Sequence, residues 1–246
     1  MINSSDRRPI EYVNIGIPGK NIGTVSDEAG KFGLVVDPRY DTDSVLFSII
    51  GFEPQAIAVS ELRATAISSI KLKEKVYELT EVVIQPKDYR TKTLGVTSKS
   101  KKFSAGFTDN LLGYECGIRM SVKKTAIVKQ VNINVSYCSY DTVFYRLNIY
   151  EERDKLGFKN ILQEPIYILM DRELVKDEIQ IDLRSKDISV DGDFLVTLEH
   201  IKDLGEGKLL FSAGLRKKTH FRKTSQGAWE TAPVGISISV VADVEQ

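Results

Sequence analysis

The sequence predicts an all-β protein made of two successive antiparallel sandwiches. Two observations predict it. Apolar and polar residues alternate with a period of two in one short run after another, and Gly, Pro, Asp and Asn clusters separate the runs. Helical periodicity is almost absent; the one candidate, Asp171 to Lys176, is short. The chain has 246 residues, 42% of them apolar, enough for two packed cores. A polar stretch with Pro86, Gly95 and six basic residues, Gln85 to Lys102, marks the boundary. The expected division is a first sandwich at 1–85, a linker at 86–102 and a second sandwich at 103–246.

In the first region, Tyr12 to Ile17 alternates as a strand should. Gly23 to Ser26 and Lys31 to Val36 are read as strands on either side of Asp27-Glu28-Ala29-Gly30. That tetrad is a turn, because an Asp carboxylate accepts backbone N–H bonds at the first position and Gly tolerates positive φ at the last. Asp37 to Asp43 is a loop. Ser44 to Ile50, the most apolar run, is expected at the centre of the sheet, with Gly51 allowing a bulge. Ile57 to Val59, Ile67 to Leu72 and Leu79 to Ile84 complete the predicted strands.

In the second region the alternating runs are Gly117 to Val122, Val131 to Tyr137, Val143 to Ile149, Ile179 to Leu183, Phe194 to Leu198, Leu209 to Phe211 and Ile236 to Val240. Strands with one apolar and one polar face imply sheets packed face to face. The strand number in about 150 residues favours a jelly roll. Gly205-Glu206-Gly207 is read as a hairpin turn.

The first region resembles the carboxypeptidase-regulatory-like (transthyretin-like, or prealbumin-like) domain. The resemblance rests on Pro9 to Ile15, Gly23 to Phe32, Leu46 to Phe52 and Leu79 to Ile84 in that order. It implies a β-sandwich of a kind common as an accessory module in bacterial envelope proteins. The family usually opens with a strand ahead of the Pro9 region. Here Met1 to Arg8 stands in that place, so the strand is expected to be missing or short, leaving an exposed edge at Tyr12 to Ile17 or Leu79 to Ile84 that invites self-association. The second region resembles envelope jelly-roll domains through Gly113 to Gly117, Phe144 to Tyr150 and Asp182-Leu183. Segments like Leu79 to Ile84 also join this domain to the plug of TonB-dependent transporters. About 160 residues follow Ile84, too few for a 22-stranded barrel at ~10 residues per strand, so a closing strand is the preferred reading.

The family name raises a zinc carboxypeptidase, whose metal needs three protein ligands and one open position. His200 and His220 are the only histidines. Neither sits in His-x-x-Glu, and Glu199 alternates to the strand face opposite His200. No Gly-x-Ser-x-Gly or phosphate-binding loop is present, and adjacent Glu151 and Glu152 point apart. The expectation is no enzyme, no metal and no cofactor. The polar-aromatic group Trp229, His220 and Arg222 is the candidate ligand-binding site, since a loop Trp beside His and Arg can stack on a sugar or grip a peptide. The plainer reading is a Trp that plugs the end of the sandwich.

Lys plus Arg and Asp plus Glu are 34 each. This balance gives no electrostatic reason to bind nucleic acid, and Lys99 to Lys102 reads as a solvated basic stretch. No run approaches the ~18 apolar residues of a membrane span. Cys116 and Cys138 lie outside any Cys-x-x-Cys motif. A disulfide in an oxidising compartment is open, while packed free thiols fit better. Met1 to Arg8 contains no apolar leader, which read literally places the protein in the cytoplasm. Taken with the short first strand, the preferred expectation is a start lying upstream and a periplasmic, outer-membrane or cell-surface protein. The function expected is a non-catalytic envelope module that binds a glycan or a protein partner. The alternative is a regulatory fragment of a carboxypeptidase-type hydrolase or a TonB-dependent uptake system.

Overall fold

A computed structural model describes residues 1–64, 69–76, 88–153, 157–175, 177–215 and 217–246. The protein is all-β: a first region with its own small sheets, and a larger antiparallel region in which a sheet curls into a half-barrel.

The first region centres on a four-stranded sheet in the order Gly23–Val25, Asn14–Gly16, Ser44–Ser48 and Gln55–Ala58. Ile15, Val45 and Phe47 are fully buried and pack with Val13, Ile17, Ile57 and Leu72. The Asp27 turn forms as its residues require: Asp27 Oδ1 accepts from the amides of Ala29 and Lys31, and Gly30 adopts φ 69°. Several expectations need correction. Lys31 to Val36 pairs with no strand among the described residues, and Val35 points into solvent. Asn14–Gly16 is the return strand's real partner to Gly23–Val25, so the hairpin turns at Pro18 to Ile22. This also places Tyr12 to Ile17 inside the sheet, not at an exposed edge. After Gln55–Ala58 the chain forms the short helix Val59–Ala64, whose Glu, Leu, Arg and Ala are strong helix formers. Ile2–Asn3 makes a two-residue parallel pair with Lys71–Leu72, so the opening strand is short. The predicted strand Leu79 to Ile84, the start of Ile67 to Leu72 and the last residue of Asp171 to Lys176 lie outside the described residues; Arg172 to Leu174 is a turn.

The larger region has two sheets. One carries the long strand Thr125–Cys138, which pairs with Glu178–Asp182, Ser189–Asp191, Leu209–Gly214 and Ile238–Glu245. The other runs Gly157–Asn160, Thr142–Arg153, Phe194–His200, Glu115–Met120, Thr219–Arg222 and Glu230–Ala232. Phe107, Ile118, Ile133, Leu147, Phe194, Phe211 and Ile238 fill the core between them. The stretch read as a linker contains Tyr89–Gly95, a strand bonded along Ile238–Glu245. Gly205 to Gly207 joins Phe194–His200 in one sheet to Leu209–Gly214 in the other, so it is a crossover and not a hairpin turn. Cys116 and Cys138 are unpaired, and burial pushes both thiols up. Lys99 and Lys101 meet Glu178 and Asp177 at the surface. Among the described residues no helix is long and apolar enough to cross a membrane.

Candidate functional site at the junction of the two regions

Strand alternation sends Tyr145, Leu147 and Ile149 into the core of the larger region and Arg146, Asn148 and Tyr150 to the opposite face. The same alternation turns Thr197 and Glu199, Glu115, and Arg222 to that face. Cross-strand register then aligns Arg222 with Glu115, Glu115 with Glu199, and Glu199 with Arg146. The result is one transverse row of charges, plus, minus, minus, plus. The first region covers it, leaving Glu115 and Glu199 0% and Arg146 2% exposed.

A buried charge is tolerated only when it is paired and hydrogen-bonded, and each member of the row is paired. Arg146 donates to Glu199 Oε2 through Nε at 3.1 Å and Nη2 at 2.9 Å. Its Nη1 reaches the Tyr12 carbonyl at 2.9 Å, and Nη2 also donates to Asn14 Oδ1. Asn14 Nδ2 donates to Glu199 Oε1 at 2.8 Å. Glu115 accepts from Arg222 Nε at 2.7 Å, Asn148 at 3.0 Å, Tyr150 at 2.9 Å and Thr197. Burial pushes the Glu115 carboxyl upward, with Glu199 adding to the rise and Arg222 opposing it. Burial acts the same way on Glu199, but Arg146 and then Arg222 outweigh it and hold that carboxyl below its ordinary range. Of the two, Glu115 is the first to take up a proton as pH falls.

Gly117, opposite Thr197, makes room for this packing: a Cβ there would stand 2.0 Å from the Val196 carbonyl oxygen. Around the row, Tyr12 packs on Phe144 and Tyr167 at 5.2 and 5.6 Å between ring centres. Gly23 lies against the Ser225 carbonyl so closely that a Cβ would approach it to 2.2 Å. Gln226 donates to Ser48 at 2.7 Å, and Lys202 pairs with Glu28.

Beside the row a crevice of about 290 Å³ opens between the regions. One wall comes from Ser48 to Phe52 of the first region. The other comes from Phe158 and Asn160, and Asn148, Tyr150, Arg146 and Arg222 form the floor. The three residues singled out from the sequence come together here around Phe158. Trp229 meets it at 5.5 Å and Tyr150 at 5.8 Å, His220 meets it at 5.7 Å, and the Arg222 guanidinium lies 5.1 Å from the Trp229 ring centre. Arg222 lines the crevice; Trp229 and His220 stand behind Phe158. Arg222 is only 8% exposed. Phe158, Glu115, Arg146 and Glu199 escaped the sequence reading. An Arg in phase with Asn148 and Tyr150 is a faint signal that a polar strand face is covered. Among the described residues, no three His, Cys, Asp or Glu side chains gather to hold a metal.

Residues 1–84 match the family model of the CarboxypepD_reg-like domain. A search of curated proteins finds no match. Among solved structures, the chain aligns with the infectious bursal disease virus VP2 subviral particle at 8% identity and a TM-score of 0.19, covering 96% of this chain and 61% of that one. The T13 viral particle of the same virus aligns at 8% identity and a TM-score of 0.17, covering 95% and 57%. The chain thus spans about three-fifths of those proteins, and neither superposition is close enough to bear on the fold.

Proposed function

We propose, with residues 1–84 a CarboxypepD_reg-like domain, that this chain is a non-catalytic binding module of the cell envelope that holds a glycan or protein partner in the crevice between its regions. One observation carries the reading: the crevice has an aromatic wall at Phe158 and a floor of buried, pre-oriented polar side chains, Asn148, Tyr150, Arg146 and Arg222. Ligand sites combine these two features. Buried ion pairs are a poor source of stability by themselves, so four buried charges beneath a solvent-open crevice fit a recognition role. The same bonds argue against acid–base catalysis, because Glu115 and Glu199 are saturated with donors. The resemblance of the first region to an accessory domain of envelope proteins supports a periplasmic or cell-surface setting as part of this proposal. No contact in the site favours the alternative of a hydrolase- or uptake-associated regulatory fragment. A jelly-roll order for the larger region belongs to the same proposal. Its support is that successive long strands, Thr125–Cys138, Thr142–Arg153, Glu178–Asp182, Phe194–His200 and Leu209–Gly214, pass between the two sheets in the manner of that fold, all but the first switch by way of an extra strand or loop.

A glycan array followed by calorimetry on the hits tests the reading. Phe158→Ala is expected to weaken binding about tenfold, the ~1.4 kcal/mol that loss of a ring contact represents, and Trp229→Ala, which removes the support behind Phe158, to weaken it less. Variants that fold normally and bind unchanged would place the site elsewhere.

A further inference from the structure

We infer that the crevice is built to receive a carboxylate carried on a sugar ring, a uronic-acid residue of an acidic glycan; this rests on the crevice being the binding site. Among the described residues, the charged groups that line it are Lys75, Arg146 and Arg222, all basic. The acids that balance the two arginines, Glu115 and Glu199, lie beneath them and do not line the opening. A ligand therefore meets the two guanidinium groups from the side away from their carboxylates.

The two arginines divide the work. Arg146 has Nε, Nη1 and Nη2 committed to Glu199, Tyr12 and Asn14, so it holds the shape of the floor. Arg222 uses Nε and Nη2 on Glu115, with a longer Nη2 contact to Tyr150. Its Nη1 makes no hydrogen bond among the described residues, although the side chain is 8% exposed and fixed against Trp229. An immobilised guanidinium edge with unused donors suits a planar carboxylate better than a hydroxyl.

The remaining walls suit a ring. Phe158 offers an apolar surface, and the Asn160 and Gln226 amides line the crevice held in place by Asn148, Leu162 and Ser48, each with further hydrogen-bonding capacity for a ring hydroxyl. A volume of about 290 Å³ lies at the lower end of ligand pockets and fits one pyranose. The same features disfavour an acidic peptide. An extended peptide takes its affinity from main-chain bonds along a sheet edge, and a crevice of about 290 Å³ holds only a short piece of one.

The test is calorimetry on the full chain with tetrasaccharides of galacturonate, glucuronate and mannuronate. Each is compared with its carboxyl-reduced, neutral counterpart at 50 and 500 mM NaCl. At least one uronate should bind tenfold or more tightly than its neutral form, with the gap narrowing at high salt as screening predicts. Arg222→Lys, which keeps the charge and loses the fork, should reduce uronate affinity about fivefold or more. Surface variant Lys75→Gln should reduce it two- to threefold even if Arg222→Lys folds poorly. Equal binding of uronate and neutral forms, weakened by Phe158→Ala, would overturn the carboxylate and leave the crevice as a site. Binding of neither form would overturn the inference; the array with Phe158→Ala then decides the wider reading. Uronate binding indifferent to both Phe158→Ala and Lys75→Gln, or matched by hexaglutamate, would also overturn it.

Discussion

Arg146 Nη1 donates to the main-chain carbonyl of Tyr12 at 2.9 Å, across the boundary between the two regions. Tyr12 presents that carbonyl from left-handed backbone, φ 53°, a conformation that an aromatic residue adopts only under constraint. The constraint is visible: the Tyr12 ring is held between Phe144 and Tyr167, and its hydroxyl donates to Glu28 at 2.9 Å.

Removing one member of a buried pair strands the other. Arg146→Met is therefore expected to cost about 3–5 kcal/mol and Glu199→Leu a similar amount. The double variant should lose less than the two losses combined, since neither charge is left alone. Urea unfolding of the four proteins measures the coupling; additivity within ~0.5 kcal/mol would show that the pair does not act as a unit.

Gly117→Ala places a methyl 2.0 Å from the Val196 carbonyl and 2.5 Å from Thr197 Cγ2. The strands must separate where Thr197 serves Glu115, and a loss of about 1–3 kcal/mol is expected. A variant as stable as the parent in thermal melts would contradict the spacing.

Gly23→Ala acts at a different level. Its methyl would meet the Ser225 carbonyl at 2.2 Å, lifting the hairpin off the larger region while each core keeps its own packing. The expected outcome is a larger radius of gyration by small-angle scattering and two resolved unfolding steps. A single transition with unchanged dimensions would sink this account.

His200 governs a pH effect. It is fully buried against Tyr145 and Phe107, and neither ring nitrogen finds a hydrogen-bond partner among the described residues. Burial lowers its pKa, outweighing the Lys202 backbone and Asp203, which favour the charged form. The unfolded chain then takes up a proton near the ordinary value of ~6.5 while the folded chain does not. Stability should fall as pH drops from about 6.5 toward the lower folded value, by at most about 1.4 kcal/mol per pH unit. His200→Phe, which gives up no bond, should flatten that slope. His220 is shifted the same way, by burial and then Arg119, so a smaller residual slope belongs to it. An unaltered slope in His200→Phe would refute the assignment.

The strands of the larger region were legible because their apolar phase is local: Tyr145, Leu147 and Ile149 announce a buried face within five residues. The charge row was not, because the polar phase of the same strand looks like a solvated face until another part of the chain covers it. Arg146 lies 53 residues from Glu199 and 132 from Asn14, and no local pattern carries such a pairing. Trp229, His220 and Arg222 could be grouped because they are near in sequence; their meeting point, Phe158, lies about 60 residues earlier. Lys31 to Val36 misled for the converse reason: it alternates like a strand but finds no neighbour among the described residues to complete a ladder.

The interlocking of Asn14, Arg146 and Glu199 bears on inheritance. Most of a surface between two modules can change one residue at a time, each substitution tested alone. Here a change at any of the three leaves a buried donor or acceptor of the others without its partner, so substitutions at them are expected to be coupled. A first module transplanted without the amide at position 14 or the left-handed Tyr12 carbonyl would leave Arg146 its bonds to Glu199 and take away the acceptors for its remaining donors. Shuffling of these two modules is thus restricted to lineages that carry both halves of the lock.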